Sequence, residues 1–276
     1  MIACAKDLDK RYDFAGIEIN MGCPSPKIMK NAAGSGMLRD KERTLSILKD
    51  LAESIDSPLS LKTRVGLTKD DVAPQFDFLI EAAKYVYLIG VHGRTYGQGH
   101  SGDVNWQFIY DLKDRLPETI VIGNGGLRTY QDAVDRLGNL DGNMIAQSAI
   151  GNPWVLTPHI PSAKDRIETI HRHLDLAVAS EMYFQESVAK MTDTLVMPSY
   201  AKLQEIAADI PGRIGTYDRL VSVVEFRKYL FNYIKGLPDS KPLKNEIIKI
   251  RDYVGLKTVL SDYVEHLKQH EEVDYS

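Results

Sequence analysis

The residues best equipped for chemistry in this 276-residue chain lie in short polar clusters, each closing an apolar run. The first is Asn20-Met21-Gly22-Cys23-Pro24, a tight glycine-containing turn that presents an amide and a thiol close together. A thiol there can act as a nucleophile, act as a proton donor, or be a buried structural cysteine in a turn fixed by Pro24. No His-Asp pair at recognisable spacing accompanies it, as a cysteine hydrolase would need. A neutral thiol serving as a general acid needs no such base.

Four further clusters follow. Lys62 and Arg64, in Ser60-Leu61-Lys62-Thr63-Arg64, share one face of a strand because strand side chains alternate. Two cations at a strand end suit the N1–C2 carbonyl region of a flavin, a phosphate or RNA; the plainer alternative is a pair of solvated charges. His92 and Arg94, in Val91-His92-Gly93-Arg94, add an imidazole and a guanidinium. His92 suits a cofactor carbonyl or ribityl oxygen, or is a satisfied core histidine. Metal binding is disfavoured, since no carboxylate or second histidine lies at ligand spacing, and no metal is expected. Gly123-Asn124-Gly125-Gly126 and Ala146-Gln147-Ser148-Ala149-Ile150-Gly151-Asn152 are glycine- and amide-rich turns. Such turns after the last strands of a (β/α)8 barrel bind phosphate through backbone N–H groups. The small-residue stretch 31–38 reads either as a loop whose backbone approaches a planar ligand or as a flexible connector.

The elements that must position these clusters are legible in the hydrophobic pattern. Apolar runs at 15–20, 58–64, 86–94, 119–126 and 143–151 alternate with helix-patterned stretches at 41–54, 71–84, 106–115 and 130–137. Near-continuous apolar strands separated by helices imply parallel βαβ units, hence an α/β fold in barrel or open-sheet form. In both forms ligands bind at the C-terminal edge of the strands, so the five clusters converge on one site. Beyond 161 the pattern changes to amphipathic helices at 163–190, 198–208, 217–235, 243–253 and 256–270, with Gly236-Leu237-Pro238-Asp239 and Gly255 as breakers. A domain spanning 1–161 and an all-helical domain spanning 162–276 are therefore expected, the latter ending in a solvated tail at Glu271-Glu272-Val273-Asp274.

A hydrophobic content of 43% with 26% charged residues is ordinary globular composition. The net charge of −4 excludes a chain that binds nucleic acid through its total charge, so any basic surface must be local. One exists: residues 219–257 hold nine Lys or Arg, including Arg227 and Lys228, against four acids. Tyr229 and Tyr233, spaced i, i+4, suit core packing better than base stacking. With two cysteines, no basic-apolar leader and no run of eighteen apolar residues, the expectation is a soluble, cytoplasmic protein without membrane contact. The oligomeric state stays open.

At these clusters the chain resembles the dihydrouridine synthases, flavoproteins that reduce uridines in transfer RNA. Asn-Met-Gly-Cys-Pro-Ser-Pro (20–26), Leu-Lys-Thr-Arg-Val-Gly (61–66), Val-His-Gly-Arg-Thr (91–95), Gly-Asn-Gly-Gly (123–126) and Gly-Asn-Pro-Trp (151–154) match the family's motifs in order. The helical region is similar to its RNA-binding domain through Phe226-Arg227-Lys228-Tyr229-Leu230 and Tyr233-Ile234-Lys235-Gly236-Leu237-Pro238. The resemblance implies a (β/α)8 TIM-barrel type of catalytic domain, FMN in its mouth, NADPH as reductant and transfer RNA as partner. It implies Cys23 as the proton donor to C5 of a flipped-out uridine. Lys62, His92, Asn124, Gly125, Gly126, Ala146 and Gln147 fall on flavin-binding positions. Asn20 and Arg94 fall near the substrate, and Arg227 and Lys228 on RNA-contacting ones.

Two departures qualify the match. Where the family usually carries Gly-Arg, this chain has Ala146-Gln147, which leaves the flavin phosphate to backbone N–H groups and an amide. The match also starts in the helix before the fourth barrel strand, with about five strands present. Five strands cannot close a barrel, and the pattern reads as an N-terminally truncated fragment. Two rival functions are a flavoenzyme on a free pyrimidine, for which a basic helical domain is needless, and a non-catalytic RNA-binding fragment.

Overall fold

The computed structural model describes residues 1–189, 197–217 and 220–270. The chain divides into two compact units, Met1–Ser148 with Val155–Pro158, and Ala149–Trp154 with the chain from His159 onward.

In the first unit, α1 (Ile2–Arg11) precedes β1 (Ile17–Asn20), α2 (Pro26–Lys30), a 3-10 helix (Gly34–Arg39), α3 (Lys41–Ala52), β2 (Leu59–Arg64) and α4 (Val72–Ala82). There follow β3 (Leu88–His92), α5 (Trp106–Arg115), β4 (Ile120–Asn124), α6 (Tyr130–Asp135) and β5 (Gly142–Met144). The five strands are parallel and lie side by side in chain order. That order decides between the two forms open to the sequence: a doubly wound sheet reverses direction at a switch point, whereas a (β/α) barrel adds each strand beside the last. Among the described residues β1 and β5 each keep one edge without a strand partner.

Leu48 and Leu51 of α3, Leu79 of α4 and Ile109 and Leu112 of α5 are fully buried with Leu61, Ile89 and Val121 of the sheet. Each contributes about 1.5–3 kcal/mol by leaving water. Among the strands, Arg64, His92 and Asn124 place buried polar side chains at the C-terminal ends. Register aligns those ends laterally: Asn20 pairs with Lys62, while Arg64, His92, Asn124 and Met144 form one row across four strands.

The fifth apolar run is strand only over Gly142–Met144 and continues as 3-10 turns at Gln147–Ala149 and Pro153–Leu156. The stretch 31–38 is not a loose connector. Gly34–Leu38 are buried inside the 3-10 helix, where a Cβ on Gly36 would come within 2.8 Å of the Met29 carbonyl oxygen. Its small residues allow close packing against α2 and against the turn that carries Cys23.

The second unit is helical: α7 (Ala163–Ala189), α8 (Tyr200–Ala208), α9 (Ile210–Arg213), α10 (Val221–Glu225), α11 (Arg227–Tyr233), α12 (Ser240–Ile247) and α13 (Tyr253–His270). Ile170, Leu174, Val178 and Met182 follow the i, i+4 stripe of α7 into its core, where Phe226, Leu230 and Ile234 meet them. The helix expected at 217–235 breaks at Phe226. Gly255, expected as a breaker, lies within α13, whose start is fixed by the Asp252 carboxylate accepting from the Gly255 N–H at 2.7 Å. Arg219, the end of the stretch 163–190 and the acidic tail fall outside the described residues. No described helix is long and apolar enough to cross a membrane.

Candidate active site

The row of strand ends opens into a cleft of about 400 Å³ within the first unit. Residues singled out from the sequence line it: Asn20, Cys23, Lys62, Arg64, His92, Arg94, Asn124, Gly125, Gly126, Ala146 and Gln147. None of its described lining residues is acidic.

The thiol is placed by its own turn. The Asn20 side-chain oxygen accepts from the N–H groups of Gly22 and Cys23 at 3.0 and 3.1 Å, closing an Asx turn that leaves Cys23 half-buried at the cleft wall. Arg64 then ties this turn to the rest. Its Nε donates to the Gly22 carbonyl at 3.0 Å and its Nη1 to the carbonyls of Thr95 and Gly99 at 3.0 and 2.9 Å. With 2% of its surface exposed, Arg64 is a buried clamp, and the solvated charge entertained from sequence is corrected.

Lys62 is half-buried, and burial lowers its pKa while Glu18 opposes the shift. His92 is 7% exposed; burial, reinforced by Arg64, Lys62, Arg94 and His100, pulls its pKa down to about 3. The imidazole is thus neutral at ordinary pH, a hydrogen-bonding group and not a charge. Arg94 donates from Nε to the Gly102 carbonyl at 2.9 Å, and its Nη2 reaches to 3.7 Å of where a Cβ on Gly126 would stand. Asn124 donates to the Met144 carbonyl at 2.7 Å, joining β4 to β5 at their tips. Beyond it Gly125 and Gly126 take φ values of +130° and +71°, which side chains rarely adopt. Ser148 donates to the Leu127 carbonyl at 2.7 Å, holding the exposed Ala146-Gln147 segment beside the glycine turn.

Sequence reasoning missed His100 and Arg128, both of which line the cleft. His100 stands in the glycine-rich stretch 97–102, its ring 6.2 Å from that of His92, and Arg128 lies two residues past Gly126. Attention to whole strand-to-helix loops, and not only strand tips, would have found them. No group of three or more His, Cys, Asp or Glu gathers to hold a metal ion among the described residues.

Comparison with known proteins gives the family. The family model for dihydrouridine synthase matches residues 1–269. The chain belongs to the dihydrouridine synthase family. It is accordingly of the oxidoreductase class, and the family's barrel accounts for five parallel strands in sequential order. Relatives include a Rickettsia prowazekii protein described as a probable tRNA-dihydrouridine synthase, 25% identical over 269 residues that cover 95% of this chain and 73% of that one. A protein of Aquifex aeolicus with the same description is 28% identical over 254 residues, 90% of this chain and 68% of its own length.

The residues offered from sequence for RNA belong to the helical unit of this family member. Lys228 is exposed, its ammonium 5.0 Å from the Tyr229 ring centroid. Arg227 is half-buried and donates to the Ile250 carbonyl, so its guanidinium supports the packing of α11 as well as adding charge. Tyr233 is buried against His173 and Trp154.

Proposed function

We propose that this chain reduces the C5=C6 bond of a uridine in transfer RNA, with FMN as the bound redox group and NADPH as its reductant. Membership of a generally flavin-dependent family supports the reading, and so does the donor set of the cleft. A space of about 400 Å³ walled by Lys62, neutral His92, Arg94 and a glycine turn, without a lining carboxylate, fits a ring with an electron-poor carbonyl edge and an attached phosphate. When bound, the flavin supplies the hydride that C6 receives.

The residues do the remainder. Lys62 and His92 would face the carbonyl edge, and Asn124, Gly125, Gly126, Ala146 and Gln147 would hold the phosphate. Asn20 fixes the turn from which Cys23 gives its thiol proton to C5, so that hydride and proton together saturate the double bond; solvent then reprotonates the thiolate. The uridine must leave its stack to enter the cleft. The first unit is thus the catalytic domain and the helical unit the RNA-binding one, where exposed Lys228, Lys235, Lys241, Lys249 and Arg251 offer phosphate contacts. Free thiols at Cys4 and Cys23 suit the cytoplasm.

The observation that carries the proposal is the Cys23 turn, its backbone held by Asn20 and Arg64, in the same cleft as Lys62 and His92. Cys23→Ala is expected to keep bound flavin and flavin reduction by NADPH while dihydrouridine in transfer RNA falls at least about a hundredfold. Undiminished dihydrouridine in that variant would remove Cys23 from the acid's role.

A further inference from the structure

The phosphate end of the cleft poses a question of charge. A phosphomonoester carries nearly two negative charges, yet the fifth strand end contributes only Ala146, Gln147 and Ser148, all neutral. Lys62 is assigned to the carbonyl edge of the ring, and Arg64 is spent on three carbonyls. The cation at the glycine turn must come from elsewhere in the cleft.

Two guanidiniums flank that turn. Arg94 places Nη2 against Gly126, and Arg128 lines both this cleft and the adjoining trough between α5 and α6. The backbone at Arg128 is fixed: its N–H donates to the Asp132 carboxylate at 2.7 Å, and Thr129 and Asp132 form a capping box at the start of α6. Asp132 accepts from the N–H groups of Arg128 and Thr129 and so holds the turn. The Arg128 side chain is exposed, interacts electrostatically with the nearby Asp132 carboxylate, and is not tied by the hydrogen bonds that fix its backbone.

We propose that Arg128 is the cationic anchor for a phosphomonoester at the Gly125–Gly126 turn, with Arg94 lining the same cleft. This deepens the flavin reading and rests on it. Arg128 replaces, from the β4–α6 turn, a charge that the β5 turn of this chain does not provide. Guanidinium suits the task because its planar N–H groups match phosphate oxygens in pairs.

The test compares FMN with riboflavin, which has the same ring and ribityl chain without the phosphate. Binding to the flavin-free full chain is read from quenching of flavin fluorescence. The parent is expected to prefer FMN. Arg128→Gln should weaken FMN by about tenfold to a hundredfold and leave riboflavin unchanged, with Arg128→Lys recovering part of the loss. Unaltered FMN affinity, or an equal loss for both flavins, overturns the role of Arg128. A parent that binds both flavins equally overturns the phosphate anchor but keeps the flavin reading; a parent that binds neither overturns both.

Discussion

His92 feels the charges of Arg64, Lys62, Arg94 and His100, and burial is the larger reason it stays neutral. Its folded value, about 3, lies below the ordinary 6.5, so an unfolded chain takes up a proton between those values that the folded chain refuses. Its contribution to stability is therefore full above pH 6.5 and is lost as pH falls toward 3. NMR should find the His92 ring without a titration step between about pH 5 and 8. His92→Asn should flatten the acid limb of the stability curve, and a step near 6.5 in the folded protein would refute the burial argument. Arg64 tests differently. Arg64→Met strips donors from three carbonyls and should cost about 3 kcal/mol or more in chemical denaturation. A loss under about 1 kcal/mol would mean that water replaces the clamp. These two residues mark what a sequence conveys at this scale. His92 was visible because a lone imidazole at the end of an apolar run is conspicuous. The task of Arg64 was not, because Gly22, Thr95 and Gly99 reach it only through folding.

Among the elements, strands and helices of the first unit follow the hydrophobic period closely, since parallel strands covered on both faces leave near-continuous apolar runs. The departures come where backbone contacts decide. The fifth run stops being strand after Met144, and Gly255 enters α13 because Asp252 caps the helix ahead of it. The 3-10 helix Gly34–Arg39 was read as a loop because its packing partner, Met29, lies outside the local pattern. Its glycine is a quantitative test. Gly36→Ala pushes a Cβ to 2.8 Å from the Met29 carbonyl oxygen and should destabilise by about 1–3 kcal/mol. Thermal melts that match the parent would show that the 3-10 helix yields without strain.

For the whole molecule, net charge and local charge tell separate stories. The chain carries −4, but the helical unit presents Lys228 and its exposed basic neighbours, which are candidates for phosphate contact. Charge reversal separates the two residues singled out there. Lys228→Glu should lower the salt slope of transfer-RNA binding by about 1 without loss of stability. Arg227→Glu should also destabilise the helical unit, because the Ile250 carbonyl loses its donor. Equal melting behaviour in both variants would dismiss the distinction. The lateral row of Arg64, His92, Asn124 and Met144 has a consequence for how such a protein can change. Because strand side chains alternate, deleting one residue inside β3 would turn the imidazole to the opposite face along with every residue after it. Insertions between strands leave the row untouched. Variation is thereby channelled into the connecting loops, and a lineage can retune what enters the cleft while the strands hold its chemistry constant.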